Sequence, residues 1–359
     1  MKHRALAALA LASLALLASA CSRPAPTADS APAAPAATGK LNLYIWSAYL
    51  PQDVIDDFTK RTGIAVNVDL YDSNEALLEK LQSGVAGYDL VFPSDYMVRT
   101  LITEKLIQPL DHGQLPLLAK HYDPRLLDQK FDPKNRHSVP YVWGTTGLGW
   151  NKAKVTATVD SWSVLFDPAN KGRILMLDDM REAFAVALKS MGKSLNERDP
   201  AVLAQAAEKL KAQKKLVKTY NSGDFANILA AGDVDFAHGY NGQIAEAVAA
   251  APDTLAYILP KEGGTIWLDS VCLTTAAQNV ASAYAFLNFI MEPEINARIV
   301  NGTHYASANL AAKPLIDPKI TADPAIYPSD EVIDRCEFLE DLGELTTKLD
   351  EYWTEIKAE

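Results

Sequence analysis

Strands alternating with amphipathic helices from Leu41 to Tyr96, and a second such series from Arg173 to Ala250, predict an α/β protein with mainly parallel sheet. About 320 of the 359 residues follow a leader and a low-complexity stretch, enough for two domains. Between the two series lies an extended run, Pro140 to Asn151, whose glycines suit a crossover strand with hinge torsions.

The leader comes first. Lys2-His3-Arg4 supply a positive start, Ala5 to Ala18 an apolar run too short to span a bilayer, and Ala18-Ser19-Ala20 a small-residue cleavage site. Residues 1–20 are therefore expected to be a signal peptide. Cys21 stands directly after it, as in the lipobox of bacterial lipoproteins, and is the expected lipidation site. Residues 21–40 are rich in Ala, Pro, Ser and Thr without apolar periodicity, which predicts a flexible tether between anchor and folded body.

In the body, Leu41 to Trp46 alternates as a strand and runs into Ser47-Ala48-Tyr49. A helix follows with Pro51 near its first turn, Asp53, Asp56 and Asp57 at its positive end and Gly63 as its stop. Strands over 64–70 and 88–92, with a helix over 75–81 between them, lead to Pro93-Ser94-Asp95-Tyr96 and a further helix. The second series has strands over 173–177, 216–220 and 234–240 and helices over 181–192, 201–211, 225–231 and 244–250. Leu255 to Leu259 leads to the Gly263-Gly264 turn and a strand from Ile266. One long helix is expected over 281–300 and a closing helix over 345–356.

In parallel α/β sheets ligands sit beyond the carboxyl ends of the strands, where Trp46, Ser47, Tyr49, Ser94, Asp95 and Tyr96 fall. On the strand from Ile266, Trp267 and Asp269 project to the same side. A π-face beside a carboxylate suits an alkylammonium: the ring attracts the cation and covers its methylenes while the carboxylate accepts its N–H groups.

The net charge of −11 becomes −13 once Lys2 and Arg4 are removed, which argues against nucleic acid and accords with a cationic ligand. The histidines are scattered, with no Cys-x-x-Cys or His-Glu-x-x-His, and no Gly-x-Ser-x-Gly elbow supplies a nucleophile. No metal, cofactor or catalysis is expected. Cys272 and Cys336 either pair or remain free thiols.

Six fragments carry a specific likeness: Tyr44 to Tyr49, Asp89 to Ser94, Trp143 to Asn151, Leu177 to Phe184, Pro260 to Asp269 and Tyr305 to Ala312. In this order they resemble the spermidine/putrescine-binding proteins of bacterial ABC importers, over nearly all of residues 41–359. The resemblance implies a two-lobed periplasmic-binding-protein fold of type II kind, each lobe a mainly parallel sheet flanked by helices, with two hinge crossings. Lobe 1 would comprise residues 41–144 and 268–313, and lobe 2 residues 145–267 and 314–359. It further implies an aromatic box of Trp46, Tyr49, Tyr240, Trp267 and Tyr305, polar contacts at Ser47, Ser94 and Tyr96, and ammonium-binding carboxylates at Asp179, Glu182 and Asp269.

The chain departs from that pattern at Ala48, where relatives often carry an acid, at Gln243 where putrescine-preferring relatives carry Asp, at Tyr240 where Trp is usual, and at Leu339 where a spermidine-preferring relative uses Gln. Asp95 would restore a charge to the first lobe. The implied protein is a monomer held in the periplasm through Cys21 that binds a polyamine and delivers it to a membrane-embedded ABC permease. A receptor for another cationic solute, or a polyamine sensor feeding a signalling partner, are the alternatives.

Overall fold

The computed structural model describes residues 39–84 and 87–358; the expected signal peptide, Cys21 and the expected tether up to residue 38 lie outside them. The described chain forms one compact unit. Its first part runs β1 (Lys40–Trp46), α1 (Gln52–Thr62), β2 (Ala65–Tyr71), α2 (Asn74–Gln82), β3 (Leu90–Val91), α3 (Asp95–Thr103) and α4 (Pro116–His121) into the long β4 (Ser138–Asn151). Local chemistry sets these ends. Gly63 takes the left-handed conformation that stops α1, φ 73°, and the Ser73 hydroxyl accepts the Ala76 N–H at the start of α2.

Next come β5 (Ile174–Met176), α5 (Met180–Ser190), α6 (Pro200–Lys214), β6 (Val217–Tyr220), α7 (Phe225–Ala230), β7 (Phe236–Tyr240), α8 (Asn241–Ala250) and β8 (Leu255–Ile258). The chain then returns through β9 (Ile266–Leu273), α9 (Val280–Ile290), α10 (Pro293–Thr303) and β10 (Ala306–Ser307). It closes with α11 (Pro318–Thr321), α12 (Asp330–Ile333) and α13 (Glu344–Ala358). The single helix expected over 281–300 is two helices: Pro293 drives the preceding Glu292 to extended torsions, φ −61° and ψ 131°, and restarts the helix at its own position.

The strands follow the order β2-β1-β3-β9-β4-β7-β5-β6, with β8 and β10 also pairing β4. Ser138 to Thr145 of β4 runs along β9, and Thr146 to Trp150 along β7. β4 therefore changes partner between Thr145 and Thr146. The sheet is mixed where mainly parallel sheet was expected. β1 pairs β2 and β3, and β5 pairs β6 and β7, all in parallel, whereas every pairing of β4 and β9 is antiparallel. One of these strands carries the chain out of the first half and the other carries it back, so they run opposite ways.

Three of the six apolar clusters among the described residues bear most directly on how the halves are held. Leu41, Leu43, Val54 and Phe58 pack with Phe286, Phe289 and Ile290 under the first half, and Phe184, Leu188, Leu203 and Leu210 pack with Leu349 and Ile356 of α13 under the second. In the third, Tyr96, Met97 and Leu101 of α3 meet Ala185, Leu195 and Leu339, which joins the halves directly. Among the described residues no helix is long and apolar enough to cross a membrane.

Candidate functional site: an acidic cleft with aromatic walls

A cleft enclosing about 750 Å³, mouth included, opens between the two halves. All thirteen ligand-contact residues singled out from the sequence line it: Trp46 at the end of β1 with Ser47 and Tyr49 just beyond; Ser94, Asp95 and Tyr96 at the start of α3; Asp179 and Glu182 at the start of α5; Tyr240 and Gln243 around the β7–α8 junction; Trp267 and Asp269 on β9; and Tyr305 after α10. Strand ends and helix starts converge here because the sheet halves point their ends at one another.

The aromatic rings brace each other. Trp267 stands edge-on to Tyr305 at 5.0 Å and to Tyr240 at 6.1 Å, Tyr49 meets Tyr305 at 5.6 Å, and Trp46 leans on Tyr71 at 4.6 Å. Two glycines make this packing possible. A Cβ on Gly144 would lie 2.5 Å from the Trp267 ring, and one on Gly242 would lie 2.5 Å from the Tyr305 ring.

The Asp269 carboxylate is 5 % exposed. Tyr49 donates its hydroxyl to Oδ2, while Oδ1 has no partner among the described residues. Asp179 caps α5: its Oδ1 accepts the Glu182 N–H at 3.0 Å, and Tyr240 donates toward Oδ2 at 3.5 Å. Glu182 accepts the hydroxyls of Thr146 on one oxygen (2.9 Å) and of Thr265 on the other (3.0 Å), which ties α5 to both crossing segments. Asp95 accepts the N–H groups of Tyr96 and of Leu268 in β9, at 2.6 and 3.3 Å.

A family model for bacterial extracellular solute-binding proteins matches residues 53–328. The chain belongs to that family. The spermidine/putrescine-binding periplasmic protein of Escherichia coli K12 is 36 % identical to this solute-binding protein over 320 residues, 89 % of this chain and 91 % of that one. Among solved structures, the substrate-binding protein of a spermidine/putrescine ABC transporter from Streptococcus pneumoniae is 31 % identical with a TM-score of 0.75, covering 89 % of this chain and 98 % of that one. A lipoprotein of Treponema pallidum is 29 % identical with a TM-score of 0.80, covering 88 % and 99 %.

The cleft of this solute-binding protein is rich in acid. Asp72, Asp95, Asp179, Glu182 and Asp269 line it, and among the described residues no lysine or arginine does. Burial raises the pKa of each deep carboxyl: Asp269 to about 6 against the lowering effect of its Tyr49 bond, Asp95 to about 8, and Glu182 to about 8 with a further push from the Asp179 charge. Asp179 is also raised by burial. Just behind the wall, Glu75 accepts the Tyr96 hydroxyl at 3.0 Å and is lifted to about 7 by burial and by Asp179. A cation entering the cleft would meet carboxyls that gain by ionising beside it.

Tyr71, Asp72 and Asn74 also line the cleft, as do Ser222 and Gly223, none of which was singled out from the sequence. Their signal was available. Tyr71-Asp72-Ser73-Asn74 and Asn221-Ser222-Gly223 follow predicted strands just as Trp46-Ser47 and Ser94-Asp95 do. Leu339 lines the wall as well, supplied from beyond the first half by the segment after Glu337, which bonds Gly264 and Ile266.

Both remaining cysteines are free. Cys272 is buried in β9, and Cys336 lies half-buried beside the crossing, its thiol donating to the Val332 carbonyl.

Proposed function

We propose that this protein captures a di- or polyamine, putrescine or spermidine, in the cleft and delivers it to the membrane-embedded permease of an ABC importer. The observation that carries this reading is Asp269: a buried carboxylate with an oxygen free to accept, beside an indole face. A polyamine consists of ammonium groups spaced by methylenes. It needs separated carboxylates with apolar walls between them, and Asp269, Asp179 and Glu182 with Trp46, Tyr49, Tyr240, Trp267 and Tyr305 supply that pattern. Ser47, Ser94, Tyr96 and Gln243 add hydroxyl and amide partners, and Asp95 a further acid. The ligand classes in the names of the relatives from E. coli and S. pneumoniae support the same chemistry.

Micromolar affinity needs about 8 kcal/mol. Charge-assisted hydrogen bonds of roughly 1.5–3 kcal/mol each and buried methylenes of about 0.8 kcal/mol each reach it after association costs. Residues 41–144 with 268–313 form one lobe in this proposal and residues 145–267 with 314–359 the other, closing on the ligand and releasing it without chemistry. The mature chain begins at a lipidated Cys21 that holds a monomer at a membrane facing the periplasm; the lipoprotein from Treponema pallidum supports that arrangement.

Calorimetric titration of residues 22–359, stripped of ligand by unfolding and refolding, tests the binding. Micromolar or tighter heats with putrescine or spermidine are expected; silence from folded protein with every diamine and polyamine would overturn it. Mass spectrometry of protein taken from membranes should find a diacylglyceryl mass on Cys21, and an unmodified product starting at Cys21 would remove the anchor.

A further inference from the structure

Arg181, between Asp179 and Glu182 at the start of α5, does not line the cleft. Its side chain is 2 % exposed, yet among the described residues no carboxylate comes within ion-pair distance. A guanidinium taken from water without a paired anion is costly, so its surroundings must compensate. One nitrogen donates to the Glu340 carbonyl at 3.0 Å, and another is buried with no partner among the described residues. The guanidinium carbon stands 5.3 Å from the centre of the Tyr96 ring.

These contacts join the two halves of the molecule. Arg181 lies on α5, which packs on α6 and α13, whereas Tyr96 lies on α3, packed against β9. The Tyr96 hydroxyl continues the line to Glu75 of α2. Around it Ala185, Leu195 and Leu339 meet Tyr96, Met97 and Leu101. Arg181 is also the positive charge that favours ionisation of Glu75, Asp95 and Asp179. It is therefore a resident counter-cation behind a cleft whose charged lining residues are all acids.

We infer that Arg181 is a positioning residue, a latch that holds the two halves together across Tyr96 and keeps the cleft's carboxylates from forcing them apart before and during ligand binding. Its role does not depend on contact with the ligand. Opening the cleft would separate the guanidinium from the ring face and from Glu75 while leaving it buried near Asp179, so closure gains what opening loses.

The test has two arms on the full chain. In the first, small-angle X-ray scattering of ligand-free protein compares wild type with Arg181→Gln, Arg181→Lys, Tyr96→Leu and the double variant Arg181→Gln/Tyr96→Leu. Both single losses should increase the radius of gyration, the double variant should open no further than either, and Arg181→Lys, which keeps charge without the planar fork, should fall between. In the second arm, stopped-flow tryptophan fluorescence follows putrescine. The dissociation rate of Arg181→Gln should rise roughly tenfold to thirtyfold with the association rate within a factor of about three.

An unchanged radius in folded Arg181→Gln, or strictly additive opening in the double variant, overturns the latch. Should Arg181→Gln fail to fold, Arg181→Lys with wild-type radius overturns it as well. The kinetic arm rests on the polyamine reading and the scattering arm does not. If wild type binds no putrescine, that reading fails while scattering still decides the latch.

Discussion

Asp269→Asn should move affinity and stability in opposite directions. The substitution keeps the shape of the side chain and an oxygen to accept the Tyr49 hydroxyl, and removes only the charge. For the ligand, losing one partner of a desolvated ion pair costs about 2–5 kcal/mol, so putrescine should bind at least about thirtyfold more weakly. For the empty protein the charge is a burden. Burial lifts the Asp269 pKa from 3.8 to about 6, so keeping the group ionised at pH 7.5 costs about 3 kcal/mol.

The folded state holds this proton more tightly than the unfolded chain does. Its stabilisation is therefore complete below about pH 4 and gone above about pH 6. An unpartnered amide N–H in the variant returns about 1 kcal/mol of the gain, which leaves it about 2 kcal/mol more stable at pH 7.5. Calorimetric titration and thermal scans of ligand-stripped protein at pH 7.5 and pH 4.5 provide the readout. The stability advantage should shrink at pH 4.5, where wild-type Asp269 already carries its proton. Affinity within fivefold of wild type, or a less stable variant at pH 7.5, would refute the reasoning.

Affinity for the polyamine should climb as pH rises from 6 to 8. Cation binding favours the ionised forms of Asp269, Glu75, Glu182 and Asp95, which are partly protonated in the empty cleft across that range, so protons leave on binding. Titrations at pH 7 in buffers of different ionisation enthalpy should show that release; equal heats in all buffers would contradict it. Gly144→Ala should displace the Trp267 indole at a cost of about 1–3 kcal/mol in stability and weaken binding, read by thermal scans and calorimetry, since its Cβ would sit 2.4 Å from Asn241 Oδ1 as well. A thiol reagent should modify Cys272 only after denaturant is added and Cys336 slowly before it, because burial raises both thiols and covers Cys272 entirely.

The period of the apolar pattern and the residues at strand ends made most of the molecule legible beforehand. Alternation along Ile266 to Val271 puts Trp267 and Asp269 on one side, and both line the cleft. The same rule applied to Tyr71 and Ser222 would have found the residues that were missed. Pro293 was visible in the sequence but outweighed by the long apolar period around it. Other features depend on contacts between distant parts of the chain. The Tyr49 bond to Asp269 spans 220 residues, the use of Gly144 and Gly242 as seats for aromatic rings needs the folded neighbours, and the antiparallel crossing strands follow from the route of the chain. Asp179 shows the limit most directly. Its place before Met180-Arg181-Glu182 marks a helix start as much as a ligand contact, and the folded side chain serves as the cap while lining the cleft.

The route through β4 and β9 also sets the order in which the molecule can be made. The layer containing β1, β2 and β3 has β9 as its inner neighbour, and the core beneath it takes Phe286, Phe289 and Ile290 from α9. A nascent chain ending anywhere before residue 266 has neither the strand nor the helix that would cover those first strands. The buried residues of β1 and β3 must wait for sequence more than 170 residues downstream, and contacts of such long range form slowly. The first strands therefore complete their core late, after the chain has passed through the whole of β4 to β8.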